Sequence, residues 1–338
     1  MRIAIIIVNY NVKDLLRNCL SSIYASAYEG FESRSFELSV VVVDNASADG
    51  SVGMVRLEYP QVDLLPLDEN IGFTAANNLA LNHLGFTIQS DQQTNKPTNQ
   101  QTNHLPDYVF LLNPDTELTN DALFQLVQFL EKNPRAGLCG PQLRYENGTL
   151  QHAAFAFPNT LQVILDVYPL DDVPGLHSVQ SSAANGRYAD DLWQGFTPFK
   201  VDFVLGAAMM VRGLAIQEVG GLDEGFFMYC EEMDWCLRME NAGWAVYTVP
   251  LSRIIHHEGR SSGQVRWTAF VHLWQSRFRF YRKYHNRYSS NYLYWLRKVI
   301  WLGLYLRQRQ AKRLFATGQV TGSDLAEELD AYAAVGRL

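Results

Sequence analysis

Six apolar residues, Ile3 to Val8, run without a break and stop at Asn9-Tyr10-Asn11. Such a run, closed by polar turn formers, predicts a strand buried on both faces, as in the middle of a parallel sheet. Leu16, Cys19, Leu20 and Ile23 then recur at helical spacing and predict a helix packed back on that sheet. Leu38 to Val43 is rich in β-branched residues and ends at Asp44-Asn45-Ala46-Ser47, completing a βαβ unit whose two strands present polar groups at one end. A third segment, Val62 to Leu67, leads to Asn70-Ile71-Gly72-Phe73. Gly72 suits a tight strand-to-helix turn, and Ala75, Ala76, Leu79 and Leu81 suggest a closely packed helix after it. Asn77 and Asn78 are mediocre helix formers, which predicts that at least one is kept for hydrogen bonding.

Tyr108 to Leu112 is a run of large apolar residues that stops at Asn113-Pro114-Asp115. It reads as a buried strand delivering a carboxylate to the carboxyl edge of the sheet, where open α/β sheets bind ligands. Alone, it fits equally a strand, an Asn-Pro turn and a helix cap. A helix from Asn120-Asp121 carries Leu123, Leu126, Val127 and Leu130 as one stripe and ends before Pro134. Residues Gly137 to Tyr145 resemble a short edge strand, and the poor periodicity of Gln151 to Lys200 predicts loops that approach an acceptor. Order returns at Val201 to Val211 and in a helix near Gly213. After Gly220-Gly221-Leu222-Asp223 comes an aromatic-rich run and then Glu231, Glu232 and Asp234, with a helix from about Glu232 to Gly243. Acids crowd helix starts for capping reasons alone, yet three within four residues repel one another unless a cation or proton intervenes. A last strand, Ala245 to Val249, precedes His256-His257-Glu258-Gly259, a pair suited to a structural role or to a metal or phosphate contact.

Length and composition add bounds. The 338 residues, 47% hydrophobic, suit one large α/β domain with additions, or two domains. The opening apolar run is too short for a secretory or spanning segment. Cys19, Cys139, Cys230 and Cys236 lack metal-finger spacing and read as small buried hydrophobes of a reducing, cytoplasmic compartment. Residues 89–106, rich in Thr, Asn and Gln, read as a flexible surface insertion. The net charge of −7 conceals an asymmetry: Arg266 to Arg313 holds twelve Lys or Arg and no Asp or Glu.

Taken in order, Val8-Asn9-Tyr10-Asn11, Val43-Asp44-Asn45-x-Ser47, Asn70-x-Gly72-Phe73, Asn113-Pro114-Asp115, Gly220-Gly221-x-Asp223, Glu231-Glu232-x-Asp234 and His256-x-x-Gly259-x-Ser261 resemble the family-2 inverting glycosyltransferases, and within them a bacterial rhamnosyltransferase-like branch. The likeness covers roughly residues 1–265. It implies a GT-A fold, an α/β domain with a mainly parallel central sheet flanked by helices. It further implies that Asp44 meets the nucleobase of a sugar nucleotide, with Asn9, Asn11, Asn70, Gly72 and Asn113 around the donor. Asp115 and His256 would hold Mg2+ or Mn2+ against the diphosphate, whose charge grows as the glycosidic bond breaks. Glu232 stands where the family most often has an aspartate as base; Glu231 and Asp234 are the reserve candidates. The implied donor is a dTDP- or UDP-sugar, and the implied acceptor a saccharide or lipid-linked sugar in surface-polysaccharide assembly.

The basic, aromatic-rich residues 266–338 lie outside those motifs and predict a pair of helices. Either their aromatic side chains pack a core, or they attach the protein peripherally to the anionic inner face of the cell membrane. No recognition module for nucleic acid accompanies them. A non-catalytic GT-A-like protein that binds a nucleotide sugar or a membrane assembly is the alternative function. A sugar-nucleotide nucleotidyltransferase is disfavoured by the lack of a glycine-rich, lysine-containing phosphate loop.

Overall fold

A computed structural model describes residues 1–26, 29, 31, 36–88, 105–168, 185–258 and 266–338. The chain forms two compact units, the first comprising Met1–Phe155, Asp190–Phe227 and Glu231–Ser261, the second Ala156–Ala189, Met228–Cys230 and Ser262–Leu338. Most of the expected 89–106 insertion lies outside the described residues.

In the first unit the strands are β1 (Arg2–Asn9), β2 (Glu37–Asp44), β3 (Asp63–Pro66), β4 (Tyr108–Leu112), β5 (Thr116–Leu118), β6 (Ala136–Arg144), β7 (Leu150–Gln151), β8 (Ala154–Phe155), β9 (Phe199–Lys200), β10 (Phe203–Val204), β11 (Ala208–Arg212) and β12 (Ala245–His256). The main sheet runs β3-β2-β1-β4-β11-β6-β12-β5. Its first four strands are parallel, and the register Asn9↔Asp44 brings the ends of β1 and β2 level. Ile3 to Ile7 are at most 1% exposed, so β1 is covered on both faces, as its apolar run predicted. The other half is mixed: β11 runs against both β4 and β6, and β5 runs against β12. This is the GT-A arrangement that the motif order implied.

Three local expectations change. The segment after Gly137 is no short edge strand but a nine-residue strand inside the sheet, paired with β11 and β12. Its low apolar content is a packing device: a Cβ on Gly137 would lie 2.7 Å from the Trp244 side chain, and one on Gly140 3.0 Å from Val204. The last strand runs on past Val249 to His256, through a pairing irregularity between Val249 and Arg253. In the helix Gly72–His83 the inward residues are Thr74, Ala76, Asn77, Asn78, Ala80 and Leu81, so Ala75 and Leu79 are only half-buried. Asn78 faces inward because it holds a loop: its Nδ2 donates to Leu222 O (2.8 Å) and Glu224 Oε1 (3.0 Å), and its Oδ1 accepts from Leu222 N (2.9 Å).

In the second unit three helices, Arg266–Lys283, Ser290–Ala316 and Gly322–Gly336, are described where two were expected. They are joined by Thr160–Val167, from the stretch read as loops. Gly303 permits the contact, since a Cβ there would meet Val167 at 2.7 Å. Arg307 donates to Val167 O and Asp166 O, satisfying carbonyls at the end of that short helix. Trp274, Phe278 and Tyr281 are buried, whereas Tyr294, Trp295, Trp301 and Tyr305 are exposed. The core-packing reading thus holds for the buried rings of the helix Arg266–Lys283, whereas the exposed rings of Ser290–Ala316 fill no core. Among the described residues no helix is long and apolar enough to cross a membrane.

Candidate active site

The chain folds its motifs to the carboxyl edge of the parallel half of the sheet. Asn9 Nδ2 donates to Asp44 Oδ2 (2.8 Å) and to Ser47 Oγ (3.1 Å), and Ser47 N donates to Asp44 Oδ1 (2.9 Å). Asn11, in the left-handed region at φ 53, accepts from Ala48 N, while its own N–H donates to Ser47 Oγ. Asn45 ties this edge to the next loop, accepting from Ile71 N (2.9 Å) and donating to Gly72 O (3.2 Å). The Asn70 side chain, in an exposed residue, accepts from Gly72 N. Gly72, at φ 85, is required twice over: a Cβ would lie 2.8 Å from Phe227 O, and Phe73 N donates to that same carbonyl. Asn9, Asn11, Asp44, Asn70 and Gly72 are therefore neighbours in one hydrogen-bonded rim.

The β4 turn supplies the second part. Asn113 is held through its backbone, N to Ala207 O and O from Thr116 Oγ1. Asp115 is 5% exposed, and its backbone oxygen accepts from His257 N at 2.8 Å. The antiparallel register His256↔Thr116 brings His256 alongside, with Nε2 3.5 Å from Asp115 Oδ1. That separation is too long for a hydrogen bond, and Oδ1 has no hydrogen-bond partner among the described residues. A buried carboxylate oxygen beside an imidazole nitrogen is a pair of groups whose chemistry suits a divalent cation. No cluster of three or more His, Cys, Asp or Glu occurs among the described residues, so further ligands would come from substrate and water. The neighbouring His257 lies between Glu117, 2.9 Å from its Nε2, and Glu146, 2.5 Å from its Nδ1. Its burial favours the neutral ring, but bonds to Glu146 and Glu117 outweigh this and raise its pKa.

The acid cluster opens the helix Glu231–Asn241, directly after Tyr229 and Cys230, both in the left-handed region at φ 68 and 64. The three acids differ. Asp234 is fully buried and bonded to Arg238 (2.8 Å), whose other nitrogens donate to Val219 O and Gly221 O, so it orients the Gly-Gly turn. Glu231 is 5% exposed, and burial, with the adjacent Glu232 charge, raises its carboxyl well above the usual range. Glu232 is half-buried. A Cβ placed on Gly206 would lie 3.8 Å from both Glu231 Oε1 and Glu232 Cβ, and the next residue, Ala207, binds Asn113 N. Gly206-Ala207 thus links the acid pair to the turn that carries Asp115.

Sequence reasoning assigned no role to Asn45, Ser47, Gln151 or Glu258. Asn45 and Ser47 stood inside a quoted motif; Gln151 lies in a stretch without periodicity and gave no signal. Gly259 and Ser261 of the last motif lie outside the described residues.

Residues 1–282 match the family described as Glycosyltransferase like family 2. The chain is 28% identical over 233 residues to the N-acetylglucosaminyl-diphospho-decaprenol L-rhamnosyltransferase of Mycobacterium tuberculosis, covering 67% of this chain and 69% of that one. It is 30% identical to the rhamnosyltransferase WbbL of Escherichia coli over 167 residues, 48% of this chain and 58% of that one. Among solved structures, the mannosyltransferase PcManGT from Pyrobaculum calidifontis, in complex with GDP-Man and Mn2+, aligns over 99% of this chain and 86% of that one, with TM-score 0.53 and 17% identity.

Proposed function

The chain belongs to glycosyltransferase-like family 2, and from that premise we propose that it moves a sugar, rhamnose or another hexose, from a dTDP- or UDP-linked donor to a saccharide or lipid-linked acceptor in cell-surface polysaccharide synthesis, with inversion and with a divalent cation. The carrying observation is the Asp115–His256 pair, whose facing electron-donor atoms stand 3.5 Å apart beside the donor rim. Mg2+ or Mn2+ held there supplies Lewis-acid stabilisation of the departing diphosphate. The remaining work falls to the chain's own groups. Asn9, Asp44 and the Asn70-Gly72 turn position the nucleoside, and Asn113 completes the donor site. Glu232 takes the proton from the attacking acceptor hydroxyl. Glu231 is the weaker candidate because it is buried, and burial with the adjacent Glu232 charge raises its carboxyl well above the usual range, whereas Glu232 is half-buried. Asp234 acts through Arg238 on the Gly220-Gly221 turn.

Attachment to a membrane fits the same reading. On the helix Ser290–Ala316, Tyr294, Trp295, Trp301 and Tyr305 are 45–63% exposed, and Lys298 Nζ lies 4.6 Å from the Tyr294 ring centroid. Aromatic rings interleaved with basic groups on one outer face suit the headgroup region of an anionic leaflet. A lipid-linked acceptor would be met there.

The test is turnover of purified protein with Mn2+, a panel of dTDP-, UDP- and GDP-sugars, and a lipid-diphosphate GlcNAc acceptor. Transfer with release of nucleoside diphosphate, lost by several orders of magnitude in Glu232→Gln, is expected. Donor binding without turnover in the wild type would favour the non-catalytic alternative instead.

A further inference from the structure

We infer that Gln151 and Glu258 are positioning residues that fix the tautomer of His256, keeping the proton on Nδ1 and the Nε2 lone pair turned toward Asp115. The inference rests on the reading of Asp115 and His256 as a cation-binding pair. Its starting point is Glu258, whose ionised carboxylate can only accept hydrogen bonds. Gln151 Nε2 lies 2.8 Å from Glu258 Oε2, and Tyr145 OH lies 3.0 Å from the same oxygen. The Gln151 amide must therefore present its NH2 to Glu258; turned over, its carbonyl would face a carboxylate. This orientation sends Gln151 Oε1 to the other side, 2.9 Å from His256 Nδ1. A carbonyl oxygen only accepts, so Nδ1 carries the hydrogen, and the neutral ring has its lone pair on Nε2.

The lock is rigid because its middle member is buried and held in the sheet. Gln151 is 3% exposed and ends β7, where it pairs with Leu143 of β6. His256, 6% exposed, ends β12. Nε2 stands 3.5 Å from Asp115 Oδ1, which has no hydrogen-bond partner among the described residues. The arrangement stores two unshared electron pairs face to face. A cation relieves that repulsion, whereas the other tautomer would relieve it by an N–H donated from Nε2 to Asp115 and so close the site. Histidines that bind metals are commonly oriented through the second ring nitrogen, and losing the orienting group typically weakens metal binding about 10–100-fold.

The experiment uses the full chain and two readouts. In metal-free protein labelled with 15N-histidine, at a pH above the ordinary imidazole value of about 6.5, the two ring nitrogens report by chemical shift which one is protonated; comparison with His256→Ala identifies the His256 signals. The wild type is expected to show Nδ1–H. Gln151→Leu, which deletes the acceptor, and Glu258→Gln, which frees the amide to turn over, are expected to move the proton to Nε2. Mn2+ titration followed by electron paramagnetic resonance should show affinity falling by about 10–100-fold in the same variants. Should Gln151→Leu fail to fold, the near-isosteric Glu258→Gln carries the test. An Nε2–H tautomer in the wild type, or an unchanged tautomer in the folded variants, overturns the inference. If the tautomer shifts as expected but the wild type binds no Mn2+ with or without nucleoside diphosphate, the lock stands and the metal reading fails.

Discussion

Replacing Asp44 by alanine and by asparagine should have very different consequences, although both remove its charge. In the native turn Asp44 accepts two hydrogen bonds, one on each oxygen: from fully buried Asn9 at 2.8 Å and from the Ser47 N–H at 2.9 Å. Bonds to a charged group contribute about 1.5–3 kcal/mol each. Ser47 is half-buried, so water can replace part of its bond, whereas Asn9 is sealed off. Asp44→Ala should therefore cost about 3–4 kcal/mol, which for a domain of this size lowers the melting temperature by roughly 10 °C. Asparagine keeps an acceptor for Ser47 and turns an NH2 toward Asn9. Asn9 can answer by flipping its amide, because its Oδ1 has no hydrogen-bond partner in the native turn. The flipped Oδ1 accepts from the new amide and from the Ser47 hydroxyl, so Asp44→Asn should cost only about 1 kcal/mol. Thermal unfolding of the two variants measures the difference. Adding UDP or dTDP separates fold from recognition: Asp44→Asn should stay folded yet lose the stabilisation that nucleotide gives the wild type. Equal melting temperatures for the two variants would refute the flip, and full nucleotide stabilisation of Asp44→Asn would refute a base contact.

Glu231 yields a pH prediction. Its folded pKa lies above its unfolded value, so between about pH 4.3 and that raised value the unfolded state binds fewer protons and stability falls as pH rises. Glu231→Gln should flatten this decline, gaining in melting temperature at neutral pH but not at pH 4; a pH-independent difference would contradict a buried, protonated Glu231. Asp115→Ala should abolish metal-dependent donor binding by calorimetry while circular dichroism stays native, and unchanged donor affinity would remove Asp115 from the cation site. Trp295→Ala with Trp301→Ala should cut sedimentation with phosphatidylglycerol vesicles by at least about tenfold, with little change in turnover of a soluble acceptor, since both rings are exposed; equal sedimentation would place the membrane contact elsewhere.

Much of the first unit was legible because its residues signal locally. The β1 and β2 runs, the Leu16-Cys19-Leu20-Ile23 stripe and the Asn113-Pro114-Asp115 stop each follow from burial on two faces or one. Strand β6 was misread because glycines and Gln142 dilute its apolar content, although the strand is buried along most of its length. What matters there is the size of Trp244 and Val204 across the gap, information that lies elsewhere in the chain. Asn78 was read as a hydrogen-bonding residue, but its partners Leu222 and Glu224 could not be named from a helical pattern. Gln151 is the extreme case. A lone glutamine in an aperiodic stretch acquires its place only when β7 pairs with β6 and meets the end of β12.

The Asp115–His256 pair shows why strand register matters more here than strand composition. Asp115 and His256 come from distant parts of the chain and meet through the alignment Ile254↔Leu118, Ile255↔Glu117, His256↔Thr116. Because side chains alternate along a strand, a slip of one residue would send His256 to the opposite face and bring His257 in its place. Apolar pattern alone pins this three-residue pairing weakly, since β5 has only Leu118 as a buried hydrophobic residue. Specific bonds do so instead: His257 N donates to Asp115 O, Thr119 Oγ1 to Arg253 O, and Leu118 N to Ser22 Oγ of the first helix. The His257 side chain adds a further restraint, since its contacts with Glu117 and Glu146 satisfy both ring nitrogens only in the observed register. Of the adjacent histidines, His257 therefore helps to hold the register, while His256 presents its Nε2 to the Asp115 carboxylate, 3.5 Å away.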